Sequence, residues 1–114
     1  MNKNYVAGRN FEYRIIRWLT GKGYYVVRSY ASKGIFDLVA VPPKSSKLSR
    51  ALLIQAKYSR KGKAYIVVEE KTRLASASRR YKAHCCIVSN TPRSKRLKWQ
   101  LVNPYYYNDR TTKR

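Results

Sequence analysis

Acidic residues are scarce in this chain. Five Asp+Glu stand against 26 Lys+Arg in 114 residues, for a formal net charge of +21. Self-repulsion of that size burdens a compact state, and the usual reason to carry it is a polyanionic partner. Nucleic acid is the first candidate and an anionic membrane surface the second. The second is disfavoured, because no basic amphipathic helix with exposed bulky apolar residues can be drawn. Residues for disulfide or metal-cluster chemistry are scarce too. The only cysteines, Cys85 and Cys86, are adjacent. Neighbours on a strand point to opposite faces, so they make poor disulfide partners and read as small apolar core residues. The single histidine, His84, has no second His or acid at ligand spacing. No apolar run approaches 18 residues and no signal-peptide pattern is present, which leads us to expect a soluble, cytoplasmic protein with no membrane partner. Internal repeats and low-complexity linkers are also absent. With an ordinary 44% hydrophobic content, residues 1–114 read as one domain with a modest core.

What remains is an alternation of helical and strand patterns. Residues 1–8 are expected to be a mobile arm. Apolar residues at 11, 15, 18 and 19 predict a helix from Arg9 to Leu19, with Asn10 as N-cap and Gly21 or Gly23 ending it. Residues 24–30, 35–41 and 51–57 read as three β-rich runs, and 64–68 as a short extended segment. A basic helix is predicted over 70–83, with Leu74, Ala77 and Tyr81 on its inner face. Strands at 85–89 and 97–102 follow, and then a basic, Tyr-rich tail over 103–114. Helix, three strands, helix, two strands is the order of an α/β fold: a central mixed five-stranded sheet flanked by helices. The first three strands form a meander, and the second helix is a crossover.

Polar residues interrupt two of the apolar runs: Asp37 in F-D-L-V-A-V, and Gln55 and Lys57 in L-L-I-Q-A-K. Residues i and i+2 on a strand share a face, so Gln55 and Lys57 point together, and pairing of the two strands brings Asp37 near them. A carboxylate, an amide oxygen and an ammonium at one sheet edge suit a hard cation and a phosphate. With only five acids in the chain, each one retained calls for a reason. Glu12 has an ordinary alternative, since an acid near a helix N-terminus complements the helix dipole.

Asp37 followed by Gln55-Ala56-Lys57 resembles the D…(E/Q)-x-K signature of the PD-(D/E)XK nucleases, whose fold is restriction-endonuclease-like. With Glu12 on the first helix and V-V-R-S-Y-A-S over 26–32, the pattern is similar to the archaeal-type Holliday junction resolvases over about residues 5–90. The resemblance implies an endodeoxyribonuclease that cuts four-way or other branched or double-stranded DNA with Mg²⁺, Mn²⁺ substituting, and that works as a homodimer. It assigns catalytic roles to Glu12, Ser32, Asp37, Gln55 and Lys57. The metal would be held by Glu12, Asp37, Gln55 and the Ala56 carbonyl. DNA contacts are expected from Arg9, Arg28 and Lys33, and from the basic turn Arg60, Lys61 and Lys63.

The chain departs from the family at Gln55, where the resolvases usually carry Glu. An amide oxygen ligates Mg²⁺ without contributing charge. Glu69 or Glu70 would supply a further acid if the second helix reaches the site; otherwise the pair serves that helix's dipole. A neutral residue at 55 also fits an alternative, a non-catalytic basic nucleic-acid-binding protein on a degenerate nuclease fold. The retained acids weigh against it, because a carboxylate repels phosphate unless a metal intervenes. No helix presents an Arg/Asn/Gln array for reading bases, so recognition is expected to rest on shape and phosphates.

Overall fold

The computed structural model describes residues 3–29 and 36–104. Its first element, α1 (Lys3–Gly21), buries Phe11, Ile15 and Leu19, the four-residue spacing of one helical stripe. The helix begins at Lys3 rather than Arg9, so residues 3–8 of the expected mobile arm are helical and Asn10 is an interior residue, not a cap. Gly8 and Asn10 look like breakers, yet a helix interior tolerates each at about 1 kcal/mol or less once the turn is nucleated. The C-terminus closes as a Schellman motif. The Gly23 N–H donates to the Thr20 carbonyl at 3.0 Å and the Tyr24 N–H to the Leu19 carbonyl at 3.0 Å. Gly23 sits at φ +93° between them, where a side chain would be strained.

The remaining elements are β1 (Tyr25–Arg28), β2 (Leu38–Val41), β3 (Leu52–Lys57), α2 (Val68–Tyr81), β4 (His84–Asn90) and β5 (Leu97–Leu101). They form one mixed five-stranded sheet in the order β1-β2-β3-β4-β5. The β1–β2 and β2–β3 pairs are antiparallel, β3–β4 is parallel across the α2 crossover, and β4–β5 is antiparallel. The expected meander and crossover are both present. The 64–68 segment pairs with no strand among the described residues; Ile66 packs against the core and α2 starts at Val68.

Strand alternation divides the core in two. Leu52, Ile54, Cys86 and Val88 face α1, with Leu38 and Ala40 from β2. Leu53, Cys85 and Ile87 face the other way, onto Leu74, Ala75 and Ala77 of α2. The adjacent cysteines are thus on opposite faces. Burial pushes the Cys85 thiol up to about 12 and the Cys86 thiol up to about 11, so both stay protonated and pack as apolar groups. Leu74 and Ala77 lie on the inner face of α2 as expected, joined by Ala75 and Ser78, whereas Tyr81 is exposed. Tyr81 is the last residue of α2, which closes there: Lys82 adopts the left-handed conformation and the Ser78 hydroxyl donates to the Ala83 carbonyl at 2.5 Å. Residues 105–114, most of the expected tail, lie outside the described residues.

Gly8 gives a direct test of the early helix start. Nothing lies within 4 Å of a Cβ built there, so Gly8→Ala should stabilise the fold by about 0.5–1 kcal/mol, read as a rise in thermal midpoint. A neutral result would mean that residues 3–8 are not helical in solution.

Candidate active site

Asp37 sits where β2 slips by one residue. Leu38 pairs with Ile54 in the β2–β3 register, yet the Asp37 N–H also reaches the Ile54 carbonyl, at 2.8 Å. Two residues facing one is a β-bulge, a device that re-aims a side chain at a strand end. The Asp37 backbone stays tied to β1 through the Ser29 N–H at 2.8 Å. Its carboxylate turns back on β3, where Oδ2 accepts the Ala56 N–H at 2.8 Å. That donor would otherwise have been met by β2 backbone. The side chain therefore caps the ladder and is fixed by doing so. The N–H and C=O of one strand residue leave on the same side, so the Ala56 carbonyl faces Asp37 as well.

The Asp37 carboxyl is held above the ordinary carboxylate range. Burial is the main cause, and the neighbouring Glu12 carboxylate adds to it. The Ala56 N–H, Lys57 and Arg28 pull the other way without cancelling the effect.

Glu12 reaches the same place from α1. With the helix starting at Lys3, Glu12 is well inside it, and the first turn holds no acid. The helix-dipole explanation for this residue therefore falls away. Instead Glu12 Oε1 accepts from Arg28 Nε at 2.8 Å, and the Arg28 guanidinium also lies 5.4 Å from the Tyr13 ring centroid. Arg28, expected on DNA, is thus engaged with an acid of the site.

On the opposite face of β3, Gln55 and Lys57 point toward α2, as alternation requires. Lys57 Nζ meets Glu70 Oε2 at 2.5 Å. Glu70 lies in the first turn of α2, and its other oxygen accepts the Val67 N–H at 3.5 Å. Val67 has no side-chain acceptor, so only this half of a capping box exists. One residue thus caps the helix and holds the lysine, while Glu69 is exposed. The Gln55 side chain makes no hydrogen bond among the described residues, which leaves its amide oxygen available.

The structure brings Glu12, Asp37, Ala56 and Lys57 together, and Gln55 precedes Ala56 on the same strand. Ser32 and Lys33 fall outside the described residues. Arg60, Lys61 and Lys63 are exposed on the turn after β3, and Arg9 is half-buried on α1. No group of three or more His, Cys, Asp or Glu poised to hold a metal occurs among the described residues. The donors at hand are all oxygens: the Asp37 carboxylate, the Gln55 amide and the Ala56 carbonyl. They fit Mg²⁺, which is commonly held by one or two carboxylates with substrate phosphates and water completing its shell. The raised Asp37 carboxyl supports the fit, since a bound cation offsets the cost of ionising it.

The same reasoning fixes a sign for stability. A carboxyl raised in the folded state binds its proton more tightly than in the unfolded chain, so stability is lost as pH rises through that raised value. Asp37→Asn keeps an acceptor for the Ala56 N–H and removes the charge. Without metal, the variant should therefore melt higher than the wild type at neutral pH, with the difference vanishing below about pH 4. Thermal melts across pH check this, and a variant that melts lower at neutral pH would contradict it.

Comparison with known proteins identifies the fold and the family. No curated protein sequence matches the chain. Among solved structures, the fold is similar to that of Archaeoglobus fulgidus Hjc, a Holliday junction resolvase from an archaeal hyperthermophile. The TM-score is 0.68 at 21% sequence identity, covering 84% of this chain and 73% of that one. The family model for archaeal Holliday junction resolvase (Hjc) matches residues 3–113, so the family pattern runs beyond residue 90 and through the Tyr-rich tail. This chain belongs to the archaeal Holliday junction resolvase family, a family of junction-resolving nucleases.

Proposed function

We propose that this chain is a Mg²⁺-dependent endodeoxyribonuclease that resolves four-way DNA junctions by paired nicks, acting as a homodimer with one site per subunit. The observation that carries this reading is the Asp37 carboxylate, fastened to the Ala56 N–H yet raised by burial and by Glu12. Asp37, the Gln55 oxygen and the Ala56 carbonyl would hold the ion, with Mn²⁺ able to replace Mg²⁺. When bound, it supplies Lewis-acid charge to the phosphoryl oxygens and a nucleophile at neutral pH.

The chain's own residues do the rest. Lys57, kept in place by Glu70, donates to the phosphoryl oxygen where negative charge builds. Glu12, oriented by Arg28, sets the field around Asp37 and orders solvent beside it. Ser32, matched by family pattern and outside the described residues, would hydrogen-bond a phosphate oxygen. Arg9 and Lys33 neutralise backbone phosphates, as does the turn bearing Arg60, Lys61 and Lys63. The two-fold symmetry of a dimer matches the two opposed strands that a junction requires to be cut.

One observation favours a second reading, a nuclease fold kept for binding. Two acids of the site are spent on Arg28 and Lys57, and Gln55 brings no charge. The readings separate when labelled four-way junction and linear duplex are incubated with Mg²⁺, Mn²⁺ or EDTA. We expect metal-dependent cutting of the junction. Asp37→Asn should lower the rate by about 10²-fold or more while junction binding persists. Gln55→Glu should lower the Mg²⁺ concentration needed for half-maximal rate. Cutting unaffected by Asp37→Asn would place the chemistry elsewhere. A wild type that never cuts, with a Gln55→Glu variant that does, would establish the binding role.

A further inference from the structure

Where β3 and β4 finish side by side, two loops carry a concentration of cations. Residues 58–63 bear Arg60, Lys61 and Lys63; residues 91–96 bear Arg93, Lys95 and Arg96. All are exposed, and among the described residues none of their side chains makes a hydrogen bond or an ion pair.

The loops are fastened to each other. Asn90, the last residue of β4, is only 7% exposed. Its Oδ1 accepts the Ser59 N–H at 2.9 Å and its Nδ2 donates to the Ser59 carbonyl at 2.6 Å, so one side-chain amide stands in for a strand partner. Gly62 holds φ +72°, and a Cβ there would fall 2.3 Å from the Pro92 nitrogen, so the loops touch only because residue 62 is glycine.

The second loop is braced from within and from the side. Thr91 Oγ1 donates to the Arg96 carbonyl at 3.1 Å, and the Arg96 N–H donates to Ser94 Oγ at 3.0 Å. Arg14 of α1 donates to the Lys95 carbonyl at 2.8 Å. Arg93 itself lies at φ +53°, in the region that favours glycine. Ordering two loops costs conformational entropy, and packing like charges together costs more. Neither the core nor the sheet gains by it, whereas a polyanion laid across the loops would.

We propose that loops 58–63 and 91–96 form one rigid phosphate-binding platform for the backbone of a DNA duplex arm, with Asn90 as its positioning residue. The proposal rests on the junction-nuclease reading and adds the 91–96 loop to the expected DNA contacts. The platform lies at the end of β3 that carries Lys57 and Ala56, so an arm seated on it runs beside Asp37.

The test uses the full chain, four-way junction DNA and EDTA, and measures affinity over a salt series. Replacing Arg93, Lys95 and Arg96 together by Ala should lower affinity on the order of 10²-fold near 0.1 M salt and reduce the log–log salt slope by about 2–3. The comparison is Ala at Lys44, Lys47 and Arg50, which removes the same charge from the loop at the opposite end of the sheet. That variant should lose less than about 3-fold. Asn90→Ala leaves the net charge unchanged, yet should weaken binding about 10-fold and make the slope shallower, a readout that a purely structural role would not move. If it fails to fold, the paired charge variants decide alone. Equal losses from the two triple variants, or wild-type affinity and slope in a folded Asn90→Ala, would overturn the platform while leaving junction cutting by the wild type untouched. A wild type that neither binds nor cuts junctions would instead overturn the functional reading beneath it.

Discussion

The hydrogen bond from the Ala56 N–H to Asp37 Oδ2 is the interaction on which the site depends. The β2 backbone begins its regular pairing one residue later, so without this carboxylate a half-buried donor at the end of β3 would go unmet. Such a group costs about 1–3 kcal/mol. The fold therefore needs an acceptor at position 37, and the chemistry needs a charge there. Asp satisfies both, but as a carboxylate it is destabilised by burial and by Glu12. The tension is the kind expected where stability is given up for function.

The acids are placed sparingly and deliberately. Among the described residues, Glu12 is matched to Arg28 and Glu70 to Lys57, whereas Asp37 has no ion pair. In a chain of net charge +21, Asp37 is a half-buried carboxylate beside the Glu12 carboxylate, and a metal ion there would offset both the burial and that repulsion. Glu70 contributes differently: by fixing Lys57 it keeps the ammonium aimed while α2 gains its cap. Helix, strand end and site are thus connected through one side chain.

Much of this was legible in the sequence, for identifiable reasons. The apolar run at Leu52–Ile54 and the 11, 15, 19 stripe are strong signals because each meets a continuous core. The crossover between β3 and β4 follows from the helical stretch between them. Asp37, Gln55 and Lys57 could be grouped because alternation and antiparallel pairing suffice for it. The bulge could not be foreseen, since a one-residue slip leaves no mark in composition. Nor could the Arg28 partner of Glu12, and the reach of Glu70 to the site was only one of two alternatives, because both depend on how α1 and α2 descend on the strand ends. The helix start was missed because Gly8 and Asn10 resemble a boundary, although their combined cost is small against a packed stripe. Residues 64–68 have strand composition but no neighbouring strand to pair with among the described residues, and tertiary context overrides such propensity.

The central claim is that the Asp37 carboxyl is raised by its surroundings so that a divalent ion relieves it. The most direct measurement is the titration of that carboxyl by side-chain ¹³C NMR, without metal and with Mg²⁺. The account predicts a midpoint above the ordinary aspartate range in the metal-free protein, falling when Mg²⁺ is added. A midpoint at or below the ordinary range, unmoved by Mg²⁺, would contradict it.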